Sequence, residues 1–310
     1  MRGLQRYLEN ANLTSLDLRD ESFRNCWSQN AFLPISRYLN LNFLSILDIE
    51  DSWVVALDEY SKMASSFIAL KYLYTGLSTA ALSKLHKHTP NLTGITLLLE
   101  SFSPSEIQNI LLSASKFHEN EFLQIKFPPW AIIEGADLIN LGRNCPNLQS
   151  ILLGDEQRFH PKAQGISDSA IETLARSMPQ LENLYMPFDP RDTLTFKALR
   201  SLGRHCPNLQ RLTLSADIDW SECVSGLMDI LFPKLWKLTL WTSSAPALQF
   251  NDPGQETIET WASHLGDMMP KLTHFEIDNQ VPMAETELAL MNTMREMLDW
   301  RMFRKFRGEE

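Results

Sequence analysis

Leu199-Arg-Ser-Leu-Gly-Arg-His-Cys-Pro-Asn-Leu-Gln-Arg-Leu-Thr-Leu214 has a near copy 61 residues earlier, Leu138-Ile-Asn-Leu-Gly-Arg-Asn-Cys-Pro-Asn-Leu-Gln-Ser-Ile-Leu-Leu153, and the two agree at ten of sixteen positions. Each copy begins with apolar residues at helical spacing and ends in alternation. Between them stands a proline, which stops a helix and biases the residue before it towards extended backbone. Helix stop and strand start are therefore written together. A spacing of 61 residues is about two periods of a longer repetition, and repetition of this length signals an array whose units bury their apolar faces only against their neighbours.

Working outward from these copies, a helical half followed by Leu-x-x-Leu-x-Leu recurs through the chain. Strands are predicted to start at Leu13, Leu44, Leu70, Leu92, Phe122, Leu148, Leu181, Leu209, Leu235 and Leu272, with a mean spacing near 29 residues. Proline stands two residues before the first strand leucine at positions 90, 146, 179, 207, 233 and 270. In the helical half after Ile166, the residues Ile171, Leu174 and Ala175 share one side, and Ser169 with Glu172 has capping-box spacing. The expected fold is α/β: a leucine-rich-repeat solenoid, a right-handed horseshoe of about ten repeats. Residues 1–281 are expected to form one repeat domain. Residues 282–310 are expected to form a capping helix, with Leu290, Met294, Met297 and Leu298 at helical spacing, and a basic tail. The chain opens within half a repeat, so cover for that end is expected upstream or from a partner.

Hydrophobic residues make up 44% of the 310 and charged ones 21%, enough apolar material for a long core. The net charge of -10 argues against a nucleic-acid surface, which depends on clustered Lys and Arg. Neither an export signal nor an apolar run of about 18 residues is present, so no membrane role and an intracellular location are expected. Four cysteines, Cys26, Cys145, Cys206 and Cys223, are too sparse for a disulfide framework; Cys145 and Cys206 occupy the same repeat position and are expected to be buried thiols. The common nucleotide, hydrolase and zinc signatures are missing, so neither a catalytic role nor a cofactor or metal is expected. His86 and His88 lack a third ligand nearby in sequence.

The run Ile166-Ser-Asp-x-x-Ile-x-x-Leu-Ala-x-x-Met-Pro-x-Leu-x-x-Leu184, together with Leu-Gly-Arg-x-Cys-Pro-Asn-Leu-Gln, resembles the cysteine-containing leucine-rich repeat typical of F-box proteins. That resemblance implies a concave sheet that holds a substrate protein and an F-box that docks a cullin-based ubiquitin ligase. No F-box is visible: Leu33-Pro-Ile-Ser-Arg-Tyr-Leu39 runs straight into Leu44-Ser-Ile-Leu-Asp-Ile49 and reads as a repeat helix.

Strand alternation sends the residues flanking the second and third leucines to the concave face. In the second repeat this places Ile46, Asp48 and Glu50 there. Over the whole face it selects Tyr72, Tyr74, Tyr185, Arg211, Lys237 and Trp241, residue types that dominate protein interfaces. Trp53, Phe188 and Trp220, in the loops after strands, are candidates for its border. The expected function is non-catalytic protein recognition, as the substrate-binding part of an F-box-type ubiquitin-ligase receptor with a cullin-ligase adaptor as a partner. The alternative is a regulator such as a small-GTPase-activating protein acting through Arg158 or Arg191.

Overall fold

The passage from helix to strand is made the same way in repeat after repeat. The backbone N–H of Leu41, Leu70, Leu92, Asn120, Leu148, Leu181, Leu209 and Leu272 donates to the carbonyl three residues before it, closing one turn between the helix end and the strand. The computed structural model describes residues 13–20, 28–61, 66–99, 101–154, 161–190, 194–216, 218–223, 230–242, 255–279 and 285–307. They belong to two compact units, one of residues 1–131 with 140–148 and the other of residues 132–139 with 149–310.

In the first unit β1 (Ser15–Leu18), β2 (Phe43–Asp48), β3 (Tyr72–Gly76), β4 (Gly94–Leu98) and β5 (Phe122–Lys126) lie side by side in chain order, all parallel. The second unit carries β6 (Ile132–Glu134), β7 (Ser150–Leu153), β8 (Lys162–Gln164), β9 (Asn183–Met186), β10 (Asp189–Pro190), β11 (Arg211–Ser215), β12 (Lys237–Thr242) and β13 (His274–Asn279). Of these, β7, β9, β11, β12 and β13 are parallel neighbours, and β6, β8 and β10 form a small parallel ladder of their own. Ten repeat strands, five to a unit, and a helix between most of them make the leucine-rich-repeat solenoid fold.

The helices of the first unit's repeats are α1 (Gln29–Ile35), α2 (Asp51–Tyr60), α3 (Thr79–Leu85), α4 (Pro104–Ile107) and α5 (Ile110–Ala114); α6 (Gly135–Asn144), α7 (Asp168–Ser177), α8 (Phe196–His205), α9 (Gln255–Met268) and α10 (Glu285–Arg307) follow. In α7 the expected face of Ile171, Leu174 and Ala175 is buried. The cap differs from expectation: Ser167, not Ser169, accepts the N–H of Ala170, while Glu172 pairs with Arg176 one turn on. Asp168 also accepts the N–H and hydroxyl of Thr195, at 2.9 and 2.7 Å, tying the start of α8 to that of α7.

Cys145 and Cys206 are buried, and each thiol faces the carbonyls that end the preceding repeat's helix. Cys145 Sγ donates to Ser115 and Phe117, and Cys206 Sγ to Ala175 and Met178. Burial pushes both thiols up to about 12. Cys26 lies outside the described residues.

Two predicted strand starts need correction. Leu-x-x-Leu-x-Leu fits the second repeat in two frames, and the pairing of Leu44 with Leu73 selects the earlier one. Leu41, Leu44 and Ile46 point into the core at 1% exposure, so Ile46 is not a face residue; the face positions are Phe43, Ser45 and Leu47. Leu41 then lies 28 residues after Leu13 and 29 before Leu70, which evens the period. In the fifth repeat the leucine position is held by Asn120, not Phe122. Fully buried, its side-chain amide lies 2.8 Å from the carbonyl of Thr93 and 3.0 Å from that of Phe122; with its NH2 turned to them it donates to both, which offsets the cost of a polar group in the core.

At the far end α10 lies against β13 and α9 and buries Leu290, Met291, Met294 and Leu298. Met297, expected in this stripe, is only half-buried. Arg301 holds the end of α9 through the carbonyl of Gly266 at 2.9 Å. No helix among the described residues is long and apolar enough to cross a membrane.

Candidate recognition site

In β9, β11 and β12 the residues Leu184, Met186, Leu212, Leu214, Leu238 and Leu240 go to the core at 1% exposure or less. Alternation sends Asn183, Tyr185, Arg211, Thr213, Lys237, Thr239 and Trp241 to the opposite, open face of the sheet. Parallel register then aligns these residues into rows across strands about 4.8 Å apart. One row reads Ser150, Asn183, Arg211, Lys237, His274, and the next Leu152, Tyr185, Thr213, Thr239, Glu276.

The second row explains a concavity. Two small residues, Thr213 and Thr239, stand between larger ones, so Tyr185 and Trp241 rise around a gap with Arg211 and Lys237 along its edge and Glu276 beyond. The resulting cavity measures about 300 Å³. Asn183 accepts the Nε–H of Arg211 at 2.6 Å, and the guanidinium lies 6.0 Å from the ring centre of Trp236, whose own ring meets His274 edge-on at 5.7 Å. The position of Arg211 is thus set by an amide and an aromatic face. Thr239 is 6% exposed and its hydroxyl, which borders the cavity, has no partner among the described residues.

Four of the six residues expected on the face, Tyr185, Arg211, Lys237 and Trp241, line this one cavity. The other two belong to the first unit. There Tyr72 is 46% exposed and holds one edge of its ring over Gly94, where a Cβ would come within 2.3 Å of it. Tyr74 receives the Arg19 guanidinium at 4.9 Å from its ring centre, and Arg19 is clamped by both oxygens of Asp17 at 2.6 to 3.1 Å. Hydrogen bonding from Arg19 holds the Asp17 carboxyl below its usual range.

The loop aromatics do not border the face. Trp53 is buried in α2 against Phe32, with ring centres 5.6 Å apart; Phe188 is buried; and Trp220 is buried edge-on to Phe275 at 6.2 Å. Apolar surface gains more from an adjacent repeat than from water. Conversely, Trp236 was not expected at the cavity, because it precedes its strand and alternation is silent there. Its neighbour Lys237, at the mouth of β12, was the available signal. His86 and His88 have separate partners, the carbonyl of Ser83 at 2.7 Å and Asp58 at 2.8 Å, and among the described residues no three potential ligands form a metal-binding group. Arg158 and Arg191 lie outside the described residues.

Comparison with known proteins adds to this geometry. No family model matches the chain. A stretch of 111 residues, 36% of the chain, is 29% identical to a protein named for its F-box and repeats, F-box/LRR-repeat protein 23 of Arabidopsis thaliana. The match spans 23% of that protein, less than a quarter of its length. Among solved structures, the leucine-rich repeat-containing protein LegL7 from Legionella pneumophila aligns over 92% of the chain and 91% of its own, at 14% identity and a TM-score of 0.43. Actin-binding site 2 of leiomodin-1 aligns over 67% of the chain and 98% of its own, at 12% identity and a TM-score of 0.33. From its ten parallel repeat strands and the sequence of its repeats, the chain has the leucine-rich-repeat fold and is similar, over 111 of its residues, to an F-box/LRR-repeat protein.

Proposed function

We propose that the chain is a non-catalytic recognition scaffold: the substrate-binding part of an F-box-type ubiquitin-ligase receptor, working inside the cell with a cullin-ligase adaptor as a second partner. The observation that carries this reading is the gathering of Tyr185, Trp241, Arg211 and Lys237 around one cavity on the open sheet face. Aromatic residues and Arg are enriched where binding energy concentrates, and a cleft flanked by polar groups is where such anchors find a pocket to fill. Similarity to an F-box/LRR-repeat protein supports the ligase assignment.

The test is a pair of affinity captures from cell extract, with the native chain and with the Tyr185→Ala/Trp241→Ala variant. The proposal expects a cullin-ligase adaptor with both and a further protein with the native chain only. Recovery of a small GTPase without any adaptor would favour the regulator reading and overturn this one.

A further inference from the structure

We propose that the cavity of the second unit takes one carboxylate side chain, an Asp or Glu, of an extended peptide segment. This deepens the recognition reading given above and rests on it. Size comes first: about 300 Å³ admits one or two side chains and no folded element. The bulk of the contact with a peptide must therefore lie on the surrounding sheet face, with a single side chain inserted as its anchor.

Charge decides which side chain. Arg211 and Lys237 are register partners on adjacent strands, so an anion between them lies within reach of both. Among the described residues neither side chain is paired with a carboxylate: Asn183 takes only the Nε–H of Arg211, and the Lys237 ammonium has no hydrogen-bond or ion-pair partner among them. The whole chain carries a net charge of -10, so an acidic segment gains nothing from the long-range field and depends on the cations at hand. The hydroxyl of Thr239, buried and without a partner among the described residues, supplies a donor at the cavity wall for the carboxylate's second oxygen. Tyr185 and Trp241 keep water from this pairing, which strengthens it.

Glu276, on the next strand, selects between anions. A phosphate brings a charge near -2 against it, whereas a carboxylate brings only -1. Arg211, Lys237 and Glu276 together leave the site one net positive charge, which one carboxylate balances and a phosphate exceeds. Glu276 also offers an acceptor to an amide or ammonium of the same peptide, which gives the site polarity across its strands.

The test uses the full chain and a library of extended eight-residue peptides in which one central position is fixed as Glu, Asp, Gln, Asn, Lys or phosphoserine. Glu- and Asp-fixed pools should bind roughly tenfold better than Gln- and Asn-fixed ones at low salt, with the gap narrowing as salt rises. Lys237→Met should erase the gap, and Lys237→Glu should shift preference to the Lys-fixed pool; circular dichroism verifies that each variant is folded. Binding that is lost in Tyr185→Ala and Trp241→Ala yet indifferent to the fixed residue would overturn this inference while leaving recognition by the open face intact. A preference for phosphoserine, or an acidic preference that survives Lys237→Glu, would also overturn it. Failure of every pool to bind would remove the peptide-recognition reading of this site together with the inference.

Discussion

The open faces of the two units share a frame and differ in what stands on it. Across the first positions of their strands the first unit reads Ser15, Phe43, Tyr72, Gly94, Phe122, and the second Ser150, Asn183, Arg211, Lys237, His274. The first row is aromatic, the second basic. In the first unit Tyr72 fills the space above Gly94, and Arg19 is occupied by Asp17 and Tyr74. In the second, small residues leave a cavity and Arg211 and Lys237 are held beside it without a paired acid among the described residues. The inward strand residues after β1, by contrast, are leucine, isoleucine or methionine in both units, apart from Thr75 in the first and Phe275 in the second, and all are buried. Inward positions of this fold are interchangeable among apolar residues because those answer to volume and apolarity, while the polar Asn120 is held by its carbonyl partners. Outward positions diverge because nothing in the backbone constrains them.

The largest expected effect tests the inward half of that contrast. Ile46→Ala in the first unit and Leu212→Ala in the second should each cost about 3 kcal/mol, as large-to-small changes in packed cores do. Chemical denaturation measures both. A cost below about 1 kcal/mol for Ile46→Ala would restore it to the face and undo the register assigned to the second repeat.

Next in size are the anchors. Trp241→Ala or Tyr185→Ala should weaken a partner held at the cavity by about 2 kcal/mol, roughly thirtyfold in Kd, and leave the fold intact. Tyr72→Ala should do less, since that ring already covers its own sheet. Equal losses measured by calorimetry would erase the distinction between the faces.

A smaller effect probes the closed face from within. Gly94→Ala forces Tyr72 to shift from a contact of 2.3 Å and should destabilise by about 1 to 2 kcal/mol. Tyr72→Ala introduced with it should recover most of that loss. A double variant no more stable than Gly94→Ala alone would mean the strain lies in the backbone instead of the ring.

The smallest effect at neutral pH concerns the repeat cysteines, one in each unit. Cys145 and Cys206 should resist a thiol reagent in native buffer and react promptly in denaturant. Their folded pKa is raised to about 12 from 9.0, so the stability they contribute is complete below pH 9 and falls as pH rises from about 9 towards 12. Denaturation midpoints taken across that range, with Cys206→Ala as control, check the sign. Labelling of one cysteine but not the other would show that the two repeats are less alike than their sequences.

Sequence alone determined the repeat, its helix and strand halves, the burial of Cys145 and Cys206, and the face on which Tyr72, Tyr74, Tyr185, Arg211, Lys237 and Trp241 stand. Each of these follows from local periodicity and from a proline that no helix interior tolerates. Periodicity has no power where two frames fit equally, so Leu44 could be numbered as the first leucine of its repeat or the second; only its pairing with Leu73 chose. Nor does it speak for residues outside the alternating strand, which is why Trp53, Phe188 and Trp220 were open to either side until the neighbouring repeat buried them, and why Trp236 went unnoticed. The cavity itself belonged wholly to tertiary structure. Most of its walls come from β9, β11, β12 and β13, whose facing residues are 26 to 37 positions apart in the chain; lateral register sets two threonines between Tyr185 and Glu276, and Trp241 stands beside them two residues on in β12.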